Sequence, residues 1–463
     1  MVLSDFHRTA GTVRRSGVIC AALVAALAIL EPAGHAADMR TGNAAVSRRE
    51  AMVKEIMPRV AELRGLDFMR PVPVNVITQA DVAKYVSETV DKEMPKEERE
   101  GYEKMLVHMG LLDPDAGLKE ILVKAYAQQV AGYYDDEKKT FSIVAGSNMP
   151  EAMDALTIAH ELTHALQDQH YDLAHMRKCA KDNDDLSLAL MALAEGDACD
   201  IMLRYGTQSY ARGKGPVRDF SPFISFSTGS ASMPGLPMFL SQNISFPYSY
   251  GSRFVVALMK KGGDKAVDEA FRDPPLSTEQ IMQPEKYFSR DAPYEIGLAD
   301  LAVCLGPGWQ TLDASPLGQF NLGLFLSNNI GSYGVDEVIA PWKGDILAGY
   351  QGPEEDDFVF VYYSTWETPG AAAKFFAAYK RLLENRFQDL RLLREGEGTA
   401  TWIRGGLIYH LAQRGSDVVS LEDLPFVSAH EAVLYSWYTR EEPLESICTS
   451  TEASLVSPAK AAP

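Results

Sequence analysis

The stretch HELTHALQDQH, His160–His170, limits what the chain can fold into more than any other. His160 and His164 stand at i and i+4, so a helix puts both imidazoles on one face, a turn apart. Glu161 flanks that face. Zinc takes neutral imidazoles and an open position for water, and a carboxylate beside that water can accept its proton. HExxH supplies these groups at the required spacing. The neighbouring residues, LTIA before and LTHAL within, are apolar enough to bury the helix, and buried imidazoles need partners. The helix is expected from Glu151, capped by Ser147 or Asn148, with Pro150 in its first turn.

A catalytic zinc site usually has three protein ligands. His170 is one candidate for the third, but Gln167 occupies the place where a glycine would let the chain turn back, so a continuing helix points His170 away. Glu195 is the better candidate. It lies in LSLALMALAEGDA, a stretch apolar on nearly all sides, where an ionised carboxylate needs a cation. Gly196 beside it lets another backbone approach. Cys199, at i+4 from Glu195, could face the metal, but a fourth protein ligand would displace the water and leave Glu161 without a task. Asp168 and Asp197 are candidates for orienting the ligands through hydrogen bonds.

The 463 residues suffice for two or three domains, and the net charge of −19 argues against nucleic acid or an anionic membrane as partner. Arg8, Arg14 and Arg15 precede the apolar run Gly17–Leu30, and Gly34 and Ala36 precede a cleavage site ahead of Ala37, as in a secretory signal peptide. That run spans only ~21 Å as helix, too short for ~30 Å of hydrocarbon. The expectation is export to the periplasm or medium, with no membrane span after cleavage. Cys179, Cys199, Cys304 and Cys448 then remain, and the favoured pairing is Cys179–Cys199 with Cys304–Cys448.

Periodicity suggests a helix over Ser47–Leu63 kinked at Pro58, a strand at Val72–Ile77, and a hairpin whose second strand is about Thr140–Val144. A helix is expected over Leu186–Tyr205, capped by Asp184 or Asp185. An irregular Gly/Ser/Pro-rich segment, residues 206–245, precedes a helix from Ser249 that stops at Gly262-Gly263, and a short helix begins at Ser277. Beyond Arg290 strands and helices alternate as in a second α+β domain. The fold class expected is therefore α+β. The division is a signal peptide at 1–36, a mostly helical domain at 37–290, an α+β domain at 291–449, and a disordered tail at 450–463.

His160, Glu161, His164 and a glutamate in the setting EG-D-A resemble the gluzincin metallopeptidases, whose third ligand sits on a following helix. The wider set QVAGYYDDEKKTFSIV, HELTHALQDQHYDL, LAEGDA, FPYSYGSRFV and PPLSTEQIMQPEKY, roughly Val72 to Phe288, is similar to an uncharacterised bacterial and archaeal branch of exported metallopeptidases. The resemblance implies a zincin-like domain with a small sheet, in which the strand Thr140–Val144 is the edge along which an extended peptide lies. It also implies a tyrosine in a Y-x-x-G setting that stabilises the oxyanion. Tyr248 with Gly251 matches that spacing, and Tyr250 is the alternative. Thermolysin-type members carry an aspartate four residues after the glutamate ligand; here that position is Cys199.

The function expected is hydrolysis of polypeptide substrates by one zinc ion held on His160, His164 and Glu195, with Glu161 passing a proton from water to the leaving amine. The alternative is a cell-envelope binding or assembly protein that keeps this scaffold with little or no turnover.

Overall fold

The computed structural model describes residues 42–130, 132–144, 151–212, 235–437 and 439–444. The expected signal segment and tail, the expected cap at residues 147–150, and Cys448 lie outside these. The chain is α+β, with a largely helical first part and a sheet-based second part.

The first part runs α1 (Gly42–Arg64), β1 (Val74–Ile77), α2 (Gln79–Glu93), α3 (Lys96–His108), α4 (Leu118–Gln129), β2 (Gly132–Asp135), β3 (Thr140–Val144), α5 (Glu151–Tyr171), α6 (Leu173–Ala180), α7 (Asp184–Ala211), α8 (Met238–Gly262), α9 (Asp264–Arg272), α10 (Thr278–Met282) and α11 (Pro284–Phe288). Pro58 sits inside α1, and Ser277 caps α10 by accepting from Gln280 N, as expected. α8 ends at Gly263, whose φ of 66° is a left-handed conformation suited to glycine.

Three expectations are corrected. The cap of α7 is Asn183, whose side chain accepts from Leu186 N; Asp184 and Asp185 are already helical. The segment 206–245 is not wholly irregular, since α7 continues to Ala211 and α8 begins at Met238 and runs through Pro247. The strand Thr140–Val144 is not an edge. The sheet order is β1-β3-β2, with β1 parallel to β3 and β2 antiparallel to it, so β2 is the edge on the hairpin side. The reason is the non-local pairing of Val74 with Phe141, which the hairpin pattern alone could not reveal.

α5 is buried continuously from Ala155 to Gln169, packed by α1, α7 and the small sheet. α7 is buried nearly all round and crosses α8 closely. The crossing is made by glycines. A Cβ added to Gly251 would fall on the Ala192 carbonyl, and one added to Gly196 would fall on the Gly251 carbonyl. Gly251→Ala is accordingly expected to destabilise by roughly 1–3 kcal/mol through overpacking, read as a lower midpoint in denaturant. Gly370→Ala is the control. It lies in a first helical turn with only Thr368 Oγ1 nearby, at 3.9 Å, and should leave the midpoint unchanged or raised. Equal midpoints for Gly251→Ala and wild type would refute the backbone contact.

The second part holds β4 (Tyr294–Leu298), α12 (Ala302–Leu305), β5 (Gln310–Ser315), α13 (Gly318–Ile330), α14 (Val335–Ile339), β6 (Trp342–Gln351), β7 (Phe358–Trp366), α15 (Pro369–Arg386), β8 (Arg391–Gly396), β9 (Thr399–Arg404), β10 (Leu407–Arg414), β11 (Asp417–Pro425), α16 (Ala429–Tyr435) and β12 (Thr439–Pro443). An antiparallel seven-stranded sheet has the order β5-β6-β7-β11-β10-β9-β8, and β12 pairs with β4. Strand β7 is buried throughout. Its Phe360 and Tyr362 enter the apolar cluster under α13 and α15, while Val359, Val361 and Tyr363 enter the cluster on the other face, the alternation a pleated strand imposes.

The two parts share core. One apolar cluster includes Leu106, Leu156 and Cys199 from the first and Phe325, Phe375 and Tyr379 from the second. His108 on α3 reaches Glu422 on β11 at 2.9 Å. Burial pushes the Glu422 carboxyl up, but Arg386, His108 and Tyr379 outweigh it and hold it at about 2. Among the described residues no helix is long and apolar enough to cross a membrane.

Candidate metal centre

His160 and His164 project from α5, Glu195 from α7, and their donor atoms converge. His160 Nε2 lies 3.0 Å from Glu195 Oε2 and 3.1 Å from His164 Nε2, and His164 Nε2 lies 3.5 Å from Glu195 Oε2. All three side chains are buried. Tetrahedral ligands at ~2.0–2.1 Å from zinc stand about 3.3 Å apart, so this triangle already has the edges of one face of such a site. Two imidazole nitrogens this close repel unless a proton or a cation lies between them and the carboxylate. Glu195 Oε1, Glu161 Oε1 and His160 Nδ1 are buried with no hydrogen-bond partner among the described residues. Orphaned oxygens at this place are what a divalent ion and its water would satisfy, so the group could hold a metal ion.

Electrostatics agrees with the geometry. Burial raises Glu195, but His164 and His160 more than reverse this and hold it ionised; burial lowers His164, but Glu195 and Glu161 drive it up. The group thus carries a negative carboxylate and a proton that a divalent ion would replace. Glu161 is fully buried. Burial pushes its carboxyl up to about 8, against the pull of His164 and of Tyr134 N, which donates to Glu161 Oε2 at 2.7 Å.

Tyr248 and Tyr250, two apart on α8, project about 200° from each other, so only one can face the metal group. Tyr248 does, with its ring centroid 6.3 Å from that of His160. Tyr250 does not; its ring is taken up by Phe246, Phe320 and Arg253. His170 points away, as the missing glycine implies, and bonds the Asp67 carbonyl at 2.8 Å. Cys199 is outside the donor group and packs in the core. The expected Cys179–Cys199 bridge is corrected: both are free thiols, Cys199 being buried among α7's apolar neighbours while Cys179 sits half-buried on α6; Cys304 has no disulfide partner among the described residues, and its expected partner Cys448 lies outside them.

Asp168 orients no ligand directly. It accepts from Tyr134 Oη at 2.9 Å and from Lys139 Nζ at 2.7 Å, and so ties β2 and its turn to α5. Asp197 lies 2.9 Å from Gln167 Nε2, and Gln167 Oε1 lies 2.9 Å from His164 Nδ1. Sequence reading noticed Gln167 only as a missing glycine. Its position three residues after His164 on the same helical face was the available signal.

A cleft of about 340 Å³, lined by Tyr134, Asp135, Tyr85 and Arg177, reaches the group at His164, while His160, Glu161 and Glu195 lie behind its wall. A smaller apolar pocket of about 50 Å³, walled by Leu173, Met176, Leu190, Met191 and Ala194, adjoins it at Asp136 and Arg177.

Among known proteins, the model of a family described as Domain of unknown function (DUF8575) matches residues 301–434. No curated protein and no solved structure matches the chain. The matched segment takes in the seven-stranded sheet from β5 to β11 and leaves His160, His164 and Glu195 outside it.

Proposed function

We propose that the chain is an exported zinc metallopeptidase, in line with its resemblance to the gluzincins. One observation carries the reading: three buried donors converge from two helices beside a buried carboxylate, Glu161, that is not among them, at the edge of an open cleft. A purely structural site would have four protein ligands and no use for that carboxylate. His160, His164 and Glu195 hold the ion, which when bound supplies a Lewis acid and lowers the pKa of water toward neutrality. Glu161 takes the proton of the attacking water and delivers it to the leaving amine. The Tyr134 amide holds one Glu161 oxygen, and the other, which has no partner among the described residues, is the one assigned the proton. Tyr248, whose ring packs 6.3 Å from that of His160, is the residue assigned to donate to the oxyanion. β2 is a sheet edge lining the cleft, and an extended polypeptide can add to it through main-chain hydrogen bonds, which accommodates many sequences.

The direct test is mature protein incubated with a reduced, carboxymethylated polypeptide. The expected result is one zinc per chain, new N-termini by mass spectrometry, arrest by 1,10-phenanthroline and recovery on adding Zn²⁺. Cleavage indifferent to the chelator, or zinc at full occupancy with no cleavage, would sink the reading.

A further inference from the structure

We propose that Gln167, Asp197 and Arg64 form a positioning relay that sets His164 for the metal, so that the N-terminal helix α1 completes a site whose ligands all lie on α5 and α7. This rests on the metal-centre reading above.

The His164 ring nitrogens are distinct. Nδ1 meets Gln167 Oε1 at 2.9 Å, and an amide oxygen only accepts, so Nδ1 carries a proton and Nε2, which lies against Glu195 and His160, is the nitrogen left for the metal. The amide cannot turn over, because Gln167 Nε2 donates both to Ala194 O and to Asp197 Oδ2, each at 2.9 Å. Reversal would set the amide oxygen against two acceptors. Asp197 is itself buried, and Arg64 Nε donates to the same Oδ2 at 3.0 Å. The Arg64 side chain is wholly enclosed at the last residue of α1, where it also reaches Asp268 at 2.7 Å.

The arrangement is asymmetric in an informative way. His160 Nδ1 has no partner among the described residues, so only one of the two imidazoles is held from behind. A buried Arg–Asp pair is a weak source of stability, since desolvation offsets most of its attraction. Its geometric effect is definite: it fixes which way Gln167 points, and through it the tautomer and ring plane of His164. The relay joins α1, α5 and α7, and Asp268 adds α9. It supplies by two steps the carboxylate support that Cys199 cannot give.

The test is zinc affinity, measured by competition with a chromogenic chelator, together with the visible spectrum of the cobalt(II)-substituted protein. Gln167→Met keeps length and removes both hydrogen-bonding functions. It is expected to weaken zinc binding about 10–100-fold, the usual cost of losing such support, and to alter the cobalt bands. The metal-free unfolding midpoint should fall, since Ala194 O and Asp197 lose a buried donor, and the zinc-induced rise in midpoint should shrink as well; a merely structural role would lower both forms alike and leave that rise unchanged. Asp197→Asn should weaken zinc in the same direction, and the double variant should be no worse than the weaker-binding single, because both break one relay. Arg64→Lys should keep most of the affinity that Arg64→Met loses. If Arg64→Met does not fold, Gln167→Met alone decides. Wild-type affinity and an unchanged cobalt spectrum in Gln167→Met would overturn the relay while leaving the metal centre standing. Wild-type protein that takes up no zinc would overturn the metal centre itself.

Discussion

Glu195→Ala should abolish stoichiometric zinc binding. With the carboxylate gone, two imidazoles remain on one helix, and a two-ligand site cannot compete with water and buffer for the ion. Loss of supporting groups alone typically costs 10–100-fold in affinity, so loss of a ligand should cost well over ~100-fold. Glu195→Gln makes the result more pointed. It keeps the volume inside α7's apolar surroundings but replaces an anion that His164 and His160 hold ionised with a neutral amide, a poor zinc ligand. Both variants should emerge from dialysis against a weak chelator with little zinc, should gain little thermal stability on adding Zn²⁺, and should cleave nothing. Metal analysis beside a wild-type control reads the outcome. One zinc per chain in either variant would remove Glu195 from the ligand set and the two-helix site with it.

Much of that site was legible because helical spacing is a local property. Once residues 160–164 lie in a helix, the shared face of the two imidazoles follows from 3.6 residues per turn. The place of Glu195 was legible for a different reason, as an acid in a segment too apolar to leave it solvated. Gly196 was readable as a point of close approach, and its partner is Gly251. That pairing also explains why Gly251 follows Tyr248 at this spacing: α8 must touch α7 for its tyrosine to stand beside His160.

The remainder depended on contacts between distant residues. No pattern in HELTHALQDQH tells that Gln167 meets Asp197, or that Arg64 closes the chain behind them. The central place of β3 depends on β1 pairing alongside it. Cysteine spacing carries no information on proximity, so Cys179 and Cys199 could be paired on paper although they occupy different helices and remain free thiols. The start of α8 was missed because the Gly/Ser/Pro-rich run 206–245 read as irregular, whereas packing on α7 extends the helix back to Met238 and through Pro247. The second part was readable in class from alternating strands, but not in strand order, where β7 pairs with β11 rather than β8.

Glu161→Gln should leave the metal and remove the reaction. Glu161 is outside the converging donor group, so the variant should hold one zinc with near wild-type affinity. The amide oxygen can still accept from Tyr134 N, which keeps the side chain in place and the fold undisturbed. What it lacks is a basic oxygen where Glu161 Oε1 now stands without a partner. General-base assistance is typically worth 10²–10⁴-fold, so kcat and kcat/KM on the unfolded polypeptide should fall together by about that factor with KM little changed. A fall in kcat/KM through KM alone would move Glu161 from proton transfer to substrate binding. Equal and absent cleavage by wild type and variant, each carrying its zinc, would favour a binding or assembly role for the scaffold. Attention would then shift to the seven-stranded sheet and the apolar core that joins it to α5 and α7.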